Sequence, residues 1–135
     1  MQSLSTLAIL INLPQVLEFV DKNLESLGCS ASIQLQLDVA VEEIFVNIAS
    51  YAYGPEAGPA VICIDTPPGP KSVTITFMDH GVPFNPLAKP DPDIALPLRE
   101  RKRGGLGIFM AKQYMDDITY QHKDGQNILT LKKRL

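Results

Sequence analysis

The sequence predicts an α+β fold of two layers, with helices on one face of a largely antiparallel sheet. Three observations carry it. Apolar residues recur at helical spacing in two consecutive segments between residues 14 and 53. They then alternate over residues 60–65 and 72–79, where Val73, Ile75 and Phe77 fall on one face. Two short turns, Pro67-Pro68-Gly69-Pro70 and Lys123-Asp124-Gly125, each join a pair of such strands, as antiparallel neighbours require. With 135 residues, 45% hydrophobic and 20% charged, the chain reads as one domain that buries a core without disulfide or metal staples.

The run 7–13 is short, apolar and partly β-branched, which predicts the first strand. Pro14 suits the first turn of a helix. Val16, Phe19, Val20, Leu24 and Leu27 follow at helical spacing to a stop at Gly28, giving a helix over 14–27. Ser30 or Ser32 caps a second helix, with apolar positions at Ile33, Leu37, Ala40, Ile44, Ile48 and Ala52. It is long and reaches about Tyr53, before Gly54-Pro55. After the first hairpin, residues 82–104 hold five prolines and mixed charge with no periodicity, a length that serves as a lid in compact domains. A third helix over 105–116 puts Leu106, Phe109, Met110 and Met115 on its apolar side. Strands over 118–121 and 128–132 close the chain.

A net charge of −3, an isoelectric point near 5.3 and a mean hydropathy of +0.05 argue against a nucleic-acid-binding domain. Cys29 and Cys63 have no metal-ligand spacing and read as free thiols in a reducing compartment. No stretch approaches the roughly 20 apolar residues of a membrane span. No basic segment precedes the first apolar run, so neither a membrane anchor nor a signal peptide is expected, and the expected location is the cytoplasm. His80 and His122 lack a ligand or nucleophile partner and read as surface or turn residues, and Lys132-Lys133-Arg134 reads as a solvated end.

Three short segments carry chemistry. Arg103-Gly104-Gly105-Leu106-Gly107-Ile108-Phe109-Met110 runs from a glycine-rich turn into a helix start, where free backbone N–H groups and the helix dipole suit a phosphate. Glu43 and Asn47 stand one turn apart at the margin of the second helix's apolar stripe. Asn47 offers a neutral oxygen suited to Mg²⁺, and Glu43 a base. Asp79-His80-Gly81 ends the third strand, where a carboxylate can accept from an amino group on a flat ring that Gly81 lets the backbone approach. Each segment alone has a plainer reading as a solvated pair or a turn.

Together and in this order, Glu43-x-x-x-Asn47, Asp79-x-Gly81, a lid and Gly105-x-Gly107 resemble the N, G1 and G2 boxes of the GHKL (Bergerat-fold) ATPase superfamily. The resemblance is closest to its anti-sigma-factor serine/threonine kinases. It rests on Asn47-Ile48-Ala49-Ser50-Tyr51-Ala52-Tyr53, an Asp-x-Gly-x-x-Phe run, and Gly-Gly-Leu-Gly-Ile-Phe followed by Met115-Asp116-Asp117, and it covers almost the whole chain. The resemblance implies an ATP·Mg²⁺ site. In it Asn47 ligates Mg²⁺, Glu43 sits near the γ-phosphate as the catalytic carboxylate, and Asp79 binds the adenine amino group beside Gly81. Gly104, Gly105 and Gly107 wrap the phosphates, Lys102 or Arg103 meets their charge, and Phe84 and Leu106 complete the nucleotide set. Asn127 stands where relatives often carry a threonine near the adenine, and Tyr51 where they usually carry histidine. Arg101-Lys102-Arg103 replaces an acidic segment of several family kinases, which leaves ATP binding intact and makes phosphoryl transfer the open step.

The implied partners are a STAS-type anti-sigma-factor antagonist, as phosphoryl acceptor, and a sigma factor, with no direct contact to nucleic acid. Family members commonly dimerise, and an apolar first strand can supply an edge for a homodimer. Two readings stay open: a serine/threonine kinase acting on the antagonist, and a nucleotide-gated partner-binding switch without transferase activity. A histidine-kinase catalytic domain detached from its phosphoacceptor helix is a weaker third.

Overall fold

The computed structural model describes residues 1–88 and 105–135. Their elements run β1 (Gln2–Leu7), α1 (Leu13–Ser26), α2 (Ala31–Tyr51), β2 (Pro59–Asp65), β3 (Ser72–Asp79), α3 (Gly105–Tyr114), β4 (Asp117–Lys123) and β5 (Gln126–Arg134), with short 3₁₀ turns at Leu10–Asn12 and Pro86–Ala88. The strands form one sheet in the order β1-β2-β3-β5-β4, every neighbouring pair antiparallel. Ile62, Ile64, Val73, Ile75, Phe77, Leu129 and Leu131 bury its inner face, under Val16, Val20 and Leu24 of α1 and Leu37, Ala40, Ile44 and Phe45 of α2. Helix α2 packs against both α1 and α3. This is the expected two-layer α+β sandwich.

Local chemistry explains the element ends. Gly28, at φ 72°, terminates α1 in a Schellman motif: its N–H donates to the Glu25 carbonyl and that of Cys29 to the Leu24 carbonyl. Of the two candidate caps, Ser30 begins α2, its hydroxyl accepting from the Ile33 N–H at 3.3 Å. The helix ends at Tyr51, two residues short of the expected Tyr53. Asp124 and Gly125, at φ 53° and 76°, make the two-residue turn between β4 and β5.

Four expectations are corrected. The first strand is Gln2–Leu7, not 7–13. It is an edge strand with one half-buried face, so Leu4 and Thr6 suffice, and polar Ser3 and Ser5 pair with Cys63 and Val61. The apolar run instead turns the chain into α1, burying Ala8 and leaving Leu10 and Ile11 exposed. Of the side expected on α3, Met115, just past its end, is buried, Phe109 and Met110 are only half-buried, the Leu106 side chain lies outside the description, and Ile108 and Ala111 are buried instead. A short helix with an unbroken apolar run carries no phase, so its neighbour α2 sets which side turns inward. That helix ends at Tyr114, not 116. Lys132-Lys133-Arg134 lies in β5 rather than in a free tail, and Lys133 Nζ donates to the Tyr114 carbonyl at 2.7 Å, capping α3.

His80 and His122 are exposed, as expected. Cys29 and Cys63 are free thiols, and burial pushes both up from their ordinary value. Among the described residues no helix is long and apolar enough to cross a membrane.

Candidate functional site

Between α2 and the end of the sheet lies a small cavity of about 30 Å³, open to solvent on one side. Its walls are Ile44 and Ile48 from α2, Ala52 just past its end, and Phe77 and Leu129 from the sheet. Asn47, Asp79, Phe84, Tyr120 and Asn127 supply its polar and aromatic lining. The helical period puts Ile44, Asn47 and Ile48 on one side of α2. The strand period puts Asp79 on the inner face of β3, two residues beyond Phe77.

Asp79 is 4% exposed. Its Oδ1 accepts from the Gly81 N–H at 2.9 Å and from Asn127 Nδ2 at 2.8 Å, whereas Oδ2 has no donor among the described residues. Asn127 is its register partner on β5, so the two face each other across the ladder. The Asn127 amide is fully engaged. Nδ2 also donates to the Val82 carbonyl at 2.9 Å, and Oδ1 accepts from the Phe84 N–H at 3.3 Å and the Tyr120 hydroxyl at 2.5 Å. Asn127 thus holds Asp79 and the following loop, and has no hydrogen-bonding capacity left for a ligand in this arrangement.

Asn47 is 7% exposed and donates through Nδ2 to the Glu43 carbonyl at 2.9 Å and to Glu43 Oε1 at 3.1 Å. Its Oδ1 has no donor among the described residues, the atom a hard cation would use. Glu43 lies against the first turn of α3, so close to Gly107 that a Cβ there would overlap the carboxylate. Gly81 also leaves no room for a Cβ, which would meet the Ala52 carbonyl. Tyr51, half exposed, packs against Phe84 with ring centroids 5.3 Å apart.

Of the residues singled out from sequence, Asn47, Asp79, Phe84 and Asn127 line one cavity, Gly81 bonds Asp79, and Glu43 bonds Asn47 and abuts Gly107. Gly105 opens α3 with Leu106 following. Lys102, Arg103, Gly104 and the rest of residues 89–104, most of the lid expected over 82–104, lie outside the described residues. Sequence reasoning gave no role to Tyr120 or Tyr53. Tyr120 was detectable in principle by its alternation on β4, but not its bond to Asn127.

Comparison with known proteins agrees with the fold. The profile of the histidine kinase-like ATPase domain matches residues 7–133. Serine/threonine-protein kinase BtrW of Bordetella bronchiseptica is 30% identical over 102 residues, covering 76% of this chain and 71% of that protein. Serine-protein kinase RsbW of Bacillus cereus is 30% identical over 100 residues, covering 71% of this chain and 61% of the relative, so part of that kinase has no counterpart in the match. The crystal structure of RsbU and RsbW domains from Mycobacterium tuberculosis superposes over 100% of this chain and 33% of the other, with a TM-score of 0.65 at 16% identity, a likeness of fold. The chain therefore belongs to the histidine kinase-like ATPase domain family, among relatives that include the BtrW and RsbW protein kinases.

Proposed function

We propose that this domain binds ATP with Mg²⁺ and transfers its γ-phosphoryl group to a serine or threonine of an anti-sigma-factor antagonist of the STAS type. In the same reading it sequesters a sigma factor when that antagonist is absent or phosphorylated. One observation carries the reading most: a buried carboxylate on the cavity wall with Oδ1 doubly bonded and Oδ2 without a donor among the described residues. An acceptor held that firmly suits the amino group of adenine, and the apolar walls from Ile48, Ala52, Phe77 and Leu129 suit the faces of a flat base.

The polar lining fits the rest of the nucleotide. Asn47 Oδ1 is available to Mg²⁺, which brings phosphate oxygens and water as its other ligands. A Mg²⁺ held by Asn47 would supply charge neutralisation to the phosphates. Glu43, fixed by Asn47 and by its contact with Gly107, is the carboxylate placed to orient an incoming hydroxyl and accept its proton. Gly105 and Gly107 at the start of α3 offer backbone N–H groups and the positive helix end to phosphate oxygens. Lys102, Arg103 and Gly104 are assigned to the phosphates from sequence.

Titration calorimetry with ATP and ADP, with and without Mg²⁺, tests the site. Asp79→Ala is expected to lose nucleotide binding at either metal condition, and Asn47→Ala to lose the Mg²⁺ dependence. A wild type that binds neither nucleotide would refute the reading. Incubation with labelled ATP and an antagonist-type protein then separates the two activities. Labelled antagonist supports the kinase. Proven ATP binding without label leaves the nucleotide-gated switch that Arg101-Lys102-Arg103 favours.

A further inference from the structure

Resting on the nucleotide reading above, we propose that Tyr53 is a positioning residue that sets the corner carrying Asp79, and through it the preference of the site for a base bearing an exocyclic amino group. Tyr53 lies just past α2 and lines no part of the cavity. Its hydroxyl stands at the end of the β2–β3 ladder. Ala60 and Asp79 are the last paired residues there, and Pro59 and His80 face each other one step beyond. The Tyr53 hydroxyl is inserted at that step, accepting from the His80 N–H at 2.9 Å and donating to the Pro59 carbonyl at 2.5 Å. The ring reaches this place because residue 58 is glycine, where a Cβ would overlap it.

The next residues are tied to the same short segment. Val82 N–H donates to the Ala52 carbonyl at 2.8 Å, and Gly81 presses against that carbonyl. Residues 52 and 53 therefore hold the chain on both sides of Gly81, whose N–H is one of the two donors to Asp79 Oδ1. Asn127 supplies the other from the opposite strand. Burial holds the Tyr53 phenol above its ordinary value, against the lowering effect of the His80 bond and with the Asp79 charge adding to it, so the hydroxyl stays a neutral donor.

With the hydroxyl removed, the Pro59 carbonyl and the His80 N–H lose their shared partner and the corner loses one of its two ties to the end of α2. Displacement of Asp79 by a fraction of an ångström matters to a ligand group that donates to its carboxylate, and little to the ring faces, the sugar or the phosphates. Tyr53 should then act on base preference rather than on binding in general.

The test is calorimetry of wild type and Tyr53→Phe, which keeps the ring, with Mg·ATP and with Mg·purine riboside triphosphate, which lacks the amino group. The wild type is expected to prefer ATP. Tyr53→Phe is expected to weaken ATP by roughly tenfold, the scale of one hydrogen bond to a charged acceptor, and to leave the amino-lacking analogue within about twofold. Amide exchange at His80 and Val82 in the free protein is expected to speed up in Tyr53→Phe, while Ile75 and Phe77 keep their protection. Equal weakening of both nucleotides, unchanged ATP affinity, or unchanged exchange at His80 would each overturn the proposal alone. A wild type that binds neither nucleotide overturns the nucleotide reading, and this proposal with it.

Discussion

Two glycines make the closest approaches in the site, and they differ in what they press against. Gly81 meets the backbone carbonyl of Ala52, which cannot move without shifting the end of α2. Gly107 meets the tip of the Glu43 side chain, which can rotate away. Gly81→Ala should therefore cost stability, about 1–3 kcal/mol on the scale of overpacked sites, read as a lower urea midpoint. Gly107→Ala should leave the midpoint nearly unchanged and instead weaken ATP binding, because Glu43 is displaced from Asn47. Equal effects of the two variants on stability would contradict this account. Asn127 makes a related point. Sequence placed a hydrogen-bonding side chain near the base, and the structure commits all of its capacity to Asp79, Val82, Phe84 and Tyr120.

At the scale of elements, the α1–α2 contact holds two carboxyl groups that face each other. Asp21 Oδ1 and Asp38 Oδ1 are both buried without a donor among the described residues. Burial, the hydrogen bond and charge of Asp21, and the nearby charge of Glu42 push Asp38 up from 3.8 to about 7. The folded state therefore binds more protons than the unfolded chain between those values. The stability that protonated Asp38 contributes is complete below about pH 4 and is lost as pH rises through about 7. Asp38→Asn should match wild type near pH 4 and exceed it at pH 8. A gain of about 0.5–1 kcal/mol is expected, because the partly exposed site is screened by solvent. Urea midpoints at the two pH values check it, and a variant weaker than wild type at pH 8 would refute the raised Asp38 carboxyl. The same element-scale logic explains the misplaced first strand. An edge strand needs little apolar density, so the most apolar local run was not the strand.

At the scale of the molecule, the cavity lies between the layers, so a ligand there contacts α2 and two central strands at once. A ligand that binds only the folded state stabilises it by mass action, about 2.7 kcal/mol at a hundredfold excess over Kd. ATP with Mg²⁺ at that excess should raise the melting temperature by several degrees, and Asp79→Ala should abolish the rise. Absence of any shift in the wild type would count against the site. The amino-acid sequence by itself determined the element order, the stop of α1 at Gly28, a serine cap on α2 at residue 30 or 32, and both hairpins. These depend on periodicity and turn chemistry within a few residues, which a sequence displays directly. Only the tertiary structure decided which side of α3 is buried, that Asn127 faces Asp79 from 48 residues away, that Asp21 meets Asp38, and that Tyr53 ends the β2–β3 ladder. Each depends on strand register or helix packing between distant segments. There a buried polar group is satisfied by whichever partner the fold brings within reach.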